Sequence, residues 1–248
     1  MAEMLVAFGL LAGIVAAHEI GFRLGAPVHA PDERFDNQIV LVRASTAALV
    51  AFLVGFAFSG AASRFIDRAD MIVKESNALG TAYLRADVIA EPYRGALKAA
   101  LKEYTADRVT LVSREGRDRI PPLLAKVGGL QARMWRAAVD GTRGNAPLMA
   151  LVLPPVNEVI DLHAAHLAMA RRHLPAPIMT VLLASAAIGV GLIGFSNGRI
   201  GRRFSAIDSV YGAVLAVALW MIFDLDYPGL GTITVSNLGF VEALAGMH

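Results

Sequence analysis

The run NEVIDLHAAH, residues 157–166, gathers four groups able to ligate a metal or move a proton: Glu158, Asp161, His163 and His166. On a helix, Glu158 sits one turn before Asp161 and His163 lies close to His166, but Asp161 and His163 face apart. A hydrolytic zinc centre needs three converging ligands, an open position and a base. Hydrogen bonding in a core or between subunits suits this run better. Asp224 and Asp226, in FDLDYP, form a candidate cation site. Calcium takes about six to eight oxygens, so two aspartates followed by Tyr227 and Pro228 fall short. The alternative is that they end a helix and pair with basic residues. His18 beside Glu19 could handle a proton or simply mark an interface. The chain contains no cysteine, which excludes disulfides, Cys-ligated zinc and thiol catalysis. It has no glycine-rich phosphate loop after a strand and no GxSxG or zincin motif. Nothing in it supports an enzyme or a resident cofactor, calcium at the aspartate pair being the one candidate.

A different chemistry is written in LVAFLVGFAFSGAASRF, residues 49–65. At about 100° per residue, Ser45, Phe52, Phe56, Ser59 and Ser63 fall within about 40° of one line, with Ala48 and Leu49 at its edges. Two readings are open. The stripe is a packed face with serines bonding back to their own helix, or it is the wall of a water-filled path with the rings as an apolar constriction that gates by dewetting. Small neighbours Gly55, Ala57, Gly60 and Ala61 would let adjacent copies of the helix approach closely.

The elements that carry these residues are membrane spans. The 248 residues are 56% hydrophobic and 18% charged, with mean hydropathy +0.54, whereas soluble domains run near 45–50% and 25%. Ala44–Ser63 is twenty residues without a charge and Ala176–Gly198 is twenty-three. A helix needs ~20 to cross ~30 Å of hydrocarbon, because lipid offers its backbone no partner. Met4–Ala17 reaches that length by continuing through His18 and Glu19 to Leu24, and Ser209–Phe223 does so from Phe204, across Asp208. The expectation is an all-α membrane protein of four spans. Residues 1–63 form a first hairpin (spans about 4–24 and 44–63), 64–175 a cytoplasmic helical domain, 176–223 a second hairpin, and 224–248 a cytoplasmic tail.

From Arg64 to Arg172 the chain holds 17 Lys and Arg against 12 Asp and Glu, a balance of about +5. Basic residues near span ends stay in the cytoplasm, so Arg64, Arg68, Arg171 and Arg172 put both termini inside. Asp32, Glu33, Arg34 and Asp36 share the first loop, and Arg199, Arg202 and Arg203 oppose the assignment from the third. Within the middle segment, Ile72, Leu79 and Tyr83 continue span 2 as a helix. Leu97, Leu101, Tyr104 and Val109 mark a second after Pro92, and Pro121-Pro122 begins a third that Gly128-Gly129 weakens. Pro154-Pro155 introduces Val156–Leu174. The basic residues have acidic neighbours and few interleaved aromatics, which argues against nucleic acid.

The segment TAALVAFLVGFAFSGAASRF, followed by IDRADMIVKESNALGTAY, resembles the bestrophin family of ion channels. The marks are Gly55-Phe56 with Phe52 one turn earlier, Arg64-Phe65 eight residues on, and RADMIVKESNALGTAYLRA followed by Pro92–Arg94. More closely, with NEVIDLH and FDLDYP included, the chain from 40 to 235 is similar to the bacterial bestrophin-like membrane proteins. The resemblance implies a homopentamer in a bacterial inner membrane, with span 2 lining a central pore above a helical vestibule. The family's hydrophobic neck falls on Ala48, Phe52 and Phe56, with Ser45, Ser59 and Ser63 facing the pathway. This chain departs at Ala48, where the family carries a larger apolar residue, and at Phe65, where many members have Trp. Asn77, Tyr83 and Arg85 are guesses for vestibule or subunit contacts. The partners expected are small inorganic ions, the bilayer and further copies of the chain. The +5 segment leans towards chloride-like anions. The competing class is a non-conducting oligomeric scaffold or sensor of the same fold.

Overall fold

The computed structural model describes residues 2–28, 33–113, 120–203, 205–228 and 231–248, with the side chains of Ala2, Glu3 and Ile120 left aside. Asp32 and Phe204 therefore lie outside the described residues. The regular elements among them are all helical: α1 (Ala2–Gly25), α2 (Glu33–Arg85), a 3-10 turn (Ala86–Val88), α3 (Tyr93–Val112), α4 (Ile120–Thr142), α5 (Ala146–Ala170), α6 (Ala176–Arg199), α7 (Ala206–Asp226) and α8 (Leu238–Ala245). Five of them, α1, α2, α5, α6 and α7, are long and apolar enough to cross a membrane. The 53 residues of α2 run about 80 Å at 1.5 Å each, more than twice the hydrocarbon thickness.

The chain divides into two compact units, Met1–Phe65 with His173–Thr234, and Ile66–Arg172 with Val235–His248. In the first, α1, α6, α7 and the start of α2 close on a core of Ile14, Val50, Ala57, Leu182, Val190, Leu219 and Ile222. Glycine sets the spacing of α1 and α6. A Cβ on Gly21 would stand 1.9 Å from the Gly191 carbonyl oxygen, and one on Gly25 2.1 Å from that of Phe195. In return, a Cβ on Gly194 would stand 2.0 Å from the His18 carbonyl oxygen, and one on Gly198 2.2 Å from that of Phe22. Two G-x-x-x-G pairs, Gly21/Gly25 and Gly194/Gly198, thus bring backbone onto backbone. Such contact drives association in lipid, where burying oil against oil gains nothing.

In the second unit, the far part of α2 packs with α3, α4, α5 and α8 around Leu79, Leu97, Leu101, Tyr104, Leu130, Met134, Val156 and Phe240. Helix α4 continues through Gly128-Gly129. One sequence expectation changes here. Helix α5 begins at Ala146 and holds Pro154 and Pro155 in its interior. Asn145 caps its start by accepting from the Leu148 amide at 3.1 Å. A proline lacks the N–H that would bind the carbonyl four residues back, and Pro155 thereby frees Leu151. Arg85 Nη1 donates to that oxygen at 3.0 Å, which is how the helix absorbs the break.

Candidate functional site

Within the first unit, the two sides of α2 have opposite fates. Val50, Ala57 and Ala61 are closed in, the last two at 1% and 0% exposure. About 140° away around the helix, Phe52 and Phe56 stand 68% and 60% exposed, with Ser45, Ala48, Ser59 and Ser63 exposed beside them. All six pathway candidates thus share one face that the chain itself leaves uncovered. Ala57 and Ala61 do not serve contacts between copies as expected. Their small side chains let α2 settle into its own unit's core, and Val50 with Thr46 lies 3.5 and 3.7 Å from where a Gly189 Cβ would stand. Gly55 has nothing within 4 Å and remains open.

Polar side chains brace both ends of this unit. At one end Asn197 donates to Asp208 at 2.7 Å and meets His18 Nε2 at 3.2 Å. Ser205 caps α7, accepting from the Asp208 amide at 3.2 Å. Glu19 binds Arg23 and Arg203, each at 2.7 Å, and Asp36 binds Arg199 at 2.9 Å. Arg199 and Arg203 of the basic trio are therefore charge-paired locally. Arg43 reaches Ser196 at 3.0 Å.

At the other end, Asp226 is fully buried. It accepts from Arg64 Nε at 2.9 Å and from the Leu174 amide at 2.9 and 3.1 Å. His173 stacks on Tyr227 with centroids 4.2 Å apart. Asp224 accepts from the Thr232 amide and hydroxyl, both at 2.6 Å, and from the Ile233 amide at 3.0 Å. A Cβ on Gly231 would overlap the Asp224 carboxylate at 1.6 Å, so glycine is what lets the segment fold onto it. The two aspartates spend their oxygens on amides, a hydroxyl and a guanidinium. They fasten the start of α6, the end of α7 and the segment after it.

The second unit centres on a carboxylate that sequence reading missed. Glu75, wholly buried, is gripped by Arg108 through Nε and Nη2, each at 2.7 Å, and by the Tyr104 hydroxyl at 2.7 Å. His166 Nδ1 lies 3.0 Å from Glu75 and 2.8 Å from Arg108, and the Phe240 ring lies 5.1 Å from the guanidinium. Glu75 lies beyond the uncharged run of α2. Burial pushes its pKa up, but the His166 bond, the Arg108 charge and the Tyr104 bond outweigh that and hold it at about 2. Tyr104 moves far up, through burial first and then the Glu75 charge. The signal was present: Glu75 interrupts the stripe Ile72, Leu79, Ala82, and Arg108 ends the stripe Leu97, Leu101, Tyr104. A charge in a core stripe needs a partner.

The acid–histidine run does not converge. Glu158 is exposed, Asp161 accepts from Asn157 at 2.7 Å, His163 sits edge-on to Tyr104, and His166 belongs to the Glu75 cluster. No three His, Cys, Asp or Glu side chains are grouped to hold a metal among the described residues. Of the guesses for vestibule contacts, Tyr83 donates to the His248 carbonyl. Asn77 lines a groove of about 740 Å³ with Val73, Thr81, Leu84, Leu238 and Glu242.

A family model described as the Bestrophin-like domain matches residues 9–240. No curated protein and no solved structure matches the chain.

Proposed function

Because the chain belongs to the bestrophin-like family, we propose that it works as an oligomeric ion channel in which several copies of α2 surround an axial path. Membership points to an ion-channel type of function in a membrane, in a family of channels rather than enzymes. The finer reading is a homopentamer with Phe52 and Phe56 as the neck, Ala48 at its wider end, and Ser45, Ser59 and Ser63 along the wall.

One observation carries it: the uncovered face of α2 bears rings and hydroxyls together, while the opposite face is closed by α6 and α7. Phenylalanine alone would suit lipid. Ser45 bonds back to the Leu41 carbonyl at 2.9 Å, but Ser59 and Ser63 make no such bond among the described residues. Facing acyl chains, those two would lose water without gaining a partner, so a wet axis shared by several subunits suits the stripe better. A closed ring gives every copy the same environment.

In this reading α1, residues 44–63 of α2, α6 and α7 cross a bacterial inner membrane. Helix α5 stays in a cytoplasmic helical domain, where Val152, Val156 and Val159 are buried in that unit's core. Both termini are cytoplasmic, and the pairing of Arg199 and Arg203 with acids weakens the opposing basic trio. The +5 segment between spans 2 and 3 favours anions. Asp224 and Asp226 serve as anchors, and chelating calcium leaves flux unchanged.

The test is a subunit count in detergent together with ion flux in liposomes. Five copies and a measurable current are expected, and Phe52→Ala or Phe56→Ala raises the current or alters its gating. A monomer sinks the reading, and a wild type and variants that all insert but pass nothing leave the non-conducting scaffold.

A further inference from the structure

Helix α4 has a face that its own chain does not use. Val127, Leu130, Met134 and Ala138 turn into the core of the second unit. On the opposite side Ala125, Gly128, Gly129, Ala132, Trp135 and Arg136 are all exposed, within about 60° of one line by helical phase. A Cβ on either glycine would meet nothing within 4 Å, so no contact inside the chain calls for glycine there, although each weakens the helix relative to alanine. Trp135 is 38% exposed. The other cations of α4, Lys126 and Arg133, both pair with Glu103. Arg136 bonds the Ala132 carbonyl of its own helix at 3.2 Å, and no acid reaches it among the described residues.

The same unit carries a concavity of the opposite charge. The groove of about 740 Å³ between α2 and α8 is kept shallow by Gly239, where a Cβ would stand 2.9 Å from Ser76 Oγ. Its less exposed lining is small, at Ala69, Ser76, Gly80 and Gly239, while its apolar rim of Val73, Leu84 and Leu238 is exposed. Glu242 is the one charged residue that lines it, exposed and without an ion pair among the described residues. Small residues on both surfaces let two helices come close. Tryptophan and arginine are the side chains that most often anchor an interface, and here the cation of one surface answers the anion of the other.

We propose that the groove between α2 and α8 is the docking site for a second copy of this chain, which lays the outer face of its α4 there, Trp135 against the apolar rim and Arg136 paired with Glu242. The two surfaces share no residue, so the contact is head-to-tail: each copy gives its α4 face to one neighbour and its groove to another. Head-to-tail contacts close into rings. Pairing two α4 faces with each other would instead bring two arginine charges onto one interface with no acid between them. The inference rests on the oligomeric reading above and names the surfaces by which the subunits join.

The chain has no cysteine, so introduced thiols report alone. Asn77→Cys in the groove and Ala132→Cys on the α4 face are combined in the full-length protein in detergent, and a short bis-maleimide links them. A ladder of joined chains extending beyond two is expected, and either cysteine alone gives none. Adding Arg136→Glu slows the linkage roughly fivefold, and adding Glu242→Arg to that variant restores the rate, which a merely structural loss would not. An assembly of several copies that yields no joined chains gives the α4 face to another protein or to the bilayer. That result, a ladder that stops at two, or a rate indifferent to the charge reversals overturns the inference while leaving the α2 pathway standing. A ladder from an assembly that passes no ions keeps this interface and removes the channel. A monomer removes both.

Discussion

Gly21→Ala isolates the contact on which the first unit turns. The added methyl would stand 1.9 Å from the Gly191 carbonyl oxygen, 2.7 Å from its carbon and 3.0 Å from its Cα, where ordinary contact begins at 3.4 Å. The difference, 3.4 − 1.9 = 1.5 Å, must be opened between α1 and α6, because every atom met is backbone and none can rotate aside. A gap of 0.5–1 Å already forfeits about a quarter to a half of a dispersion contact, and the Gly25, Gly194 and Gly198 contacts on the same seam would part as well. Overpacking a tight site costs about 1–3 kcal/mol, and this rigid one belongs at the top of that range. For a chain of this size ~3 kcal/mol lowers Tm by roughly 6–12 °C. The control is Gly13→Ala on the same helix, where nothing lies within 4 Å. There the better helix propensity of alanine adds up to about 1 kcal/mol. Thermal unfolding of the detergent-solubilised protein compares the two. Equal melting temperatures for both variants would refute the claim that α1 and α6 touch backbone to backbone.

Acid titration tests the buried cluster of the second unit. Glu75 has a folded pKa depressed from 4.5 to about 2, so its contribution is complete above pH 4.5 and disappears as pH falls towards 2. A fall of that size is worth roughly 3 kcal/mol. Glu75→Gln should be less stable at neutral pH and show a flatter loss between pH 4.5 and 2; parallel acid profiles would sink this. Arg85→Met leaves the Leu151 carbonyl without its donor and should cost about 1 kcal/mol, read as a lower Tm. In a Pro155→Ala background, where an intrahelical bond returns to that carbonyl, the same change should cost almost nothing. Additivity of the two substitutions would show that Arg85 does not serve the carbonyl that Pro155 frees.

The long uncharged runs and the helical phase of the Phe–Ser stripe were legible in the chain because both are local. Whether a segment is apolar for twenty residues, and which side chains share a helix face, follows from spacing alone. Helix α5 was half legible. Its prolines read as a start, since nothing nearby in sequence could tell that Arg85, some seventy residues earlier, would supply a donor. Glu75 and Arg108 stood visibly in core stripes, yet their pairing joins helices that only packing brings together. Likewise G-x-x-x-G at Gly21/Gly25 and Gly194/Gly198 could have been noted, but not that the two pairs meet each other. By itself the sequence determined that this protein is helical, membrane-bound and striped along α2, because backbone satisfaction in lipid and side-chain phase are properties of contiguous residues. Tertiary structure alone decided which face of α2 stays open, where Arg64 and the aspartates spend their charge, and how a buried carboxylate is neutralised, because each of those depends on groups far apart in the chain.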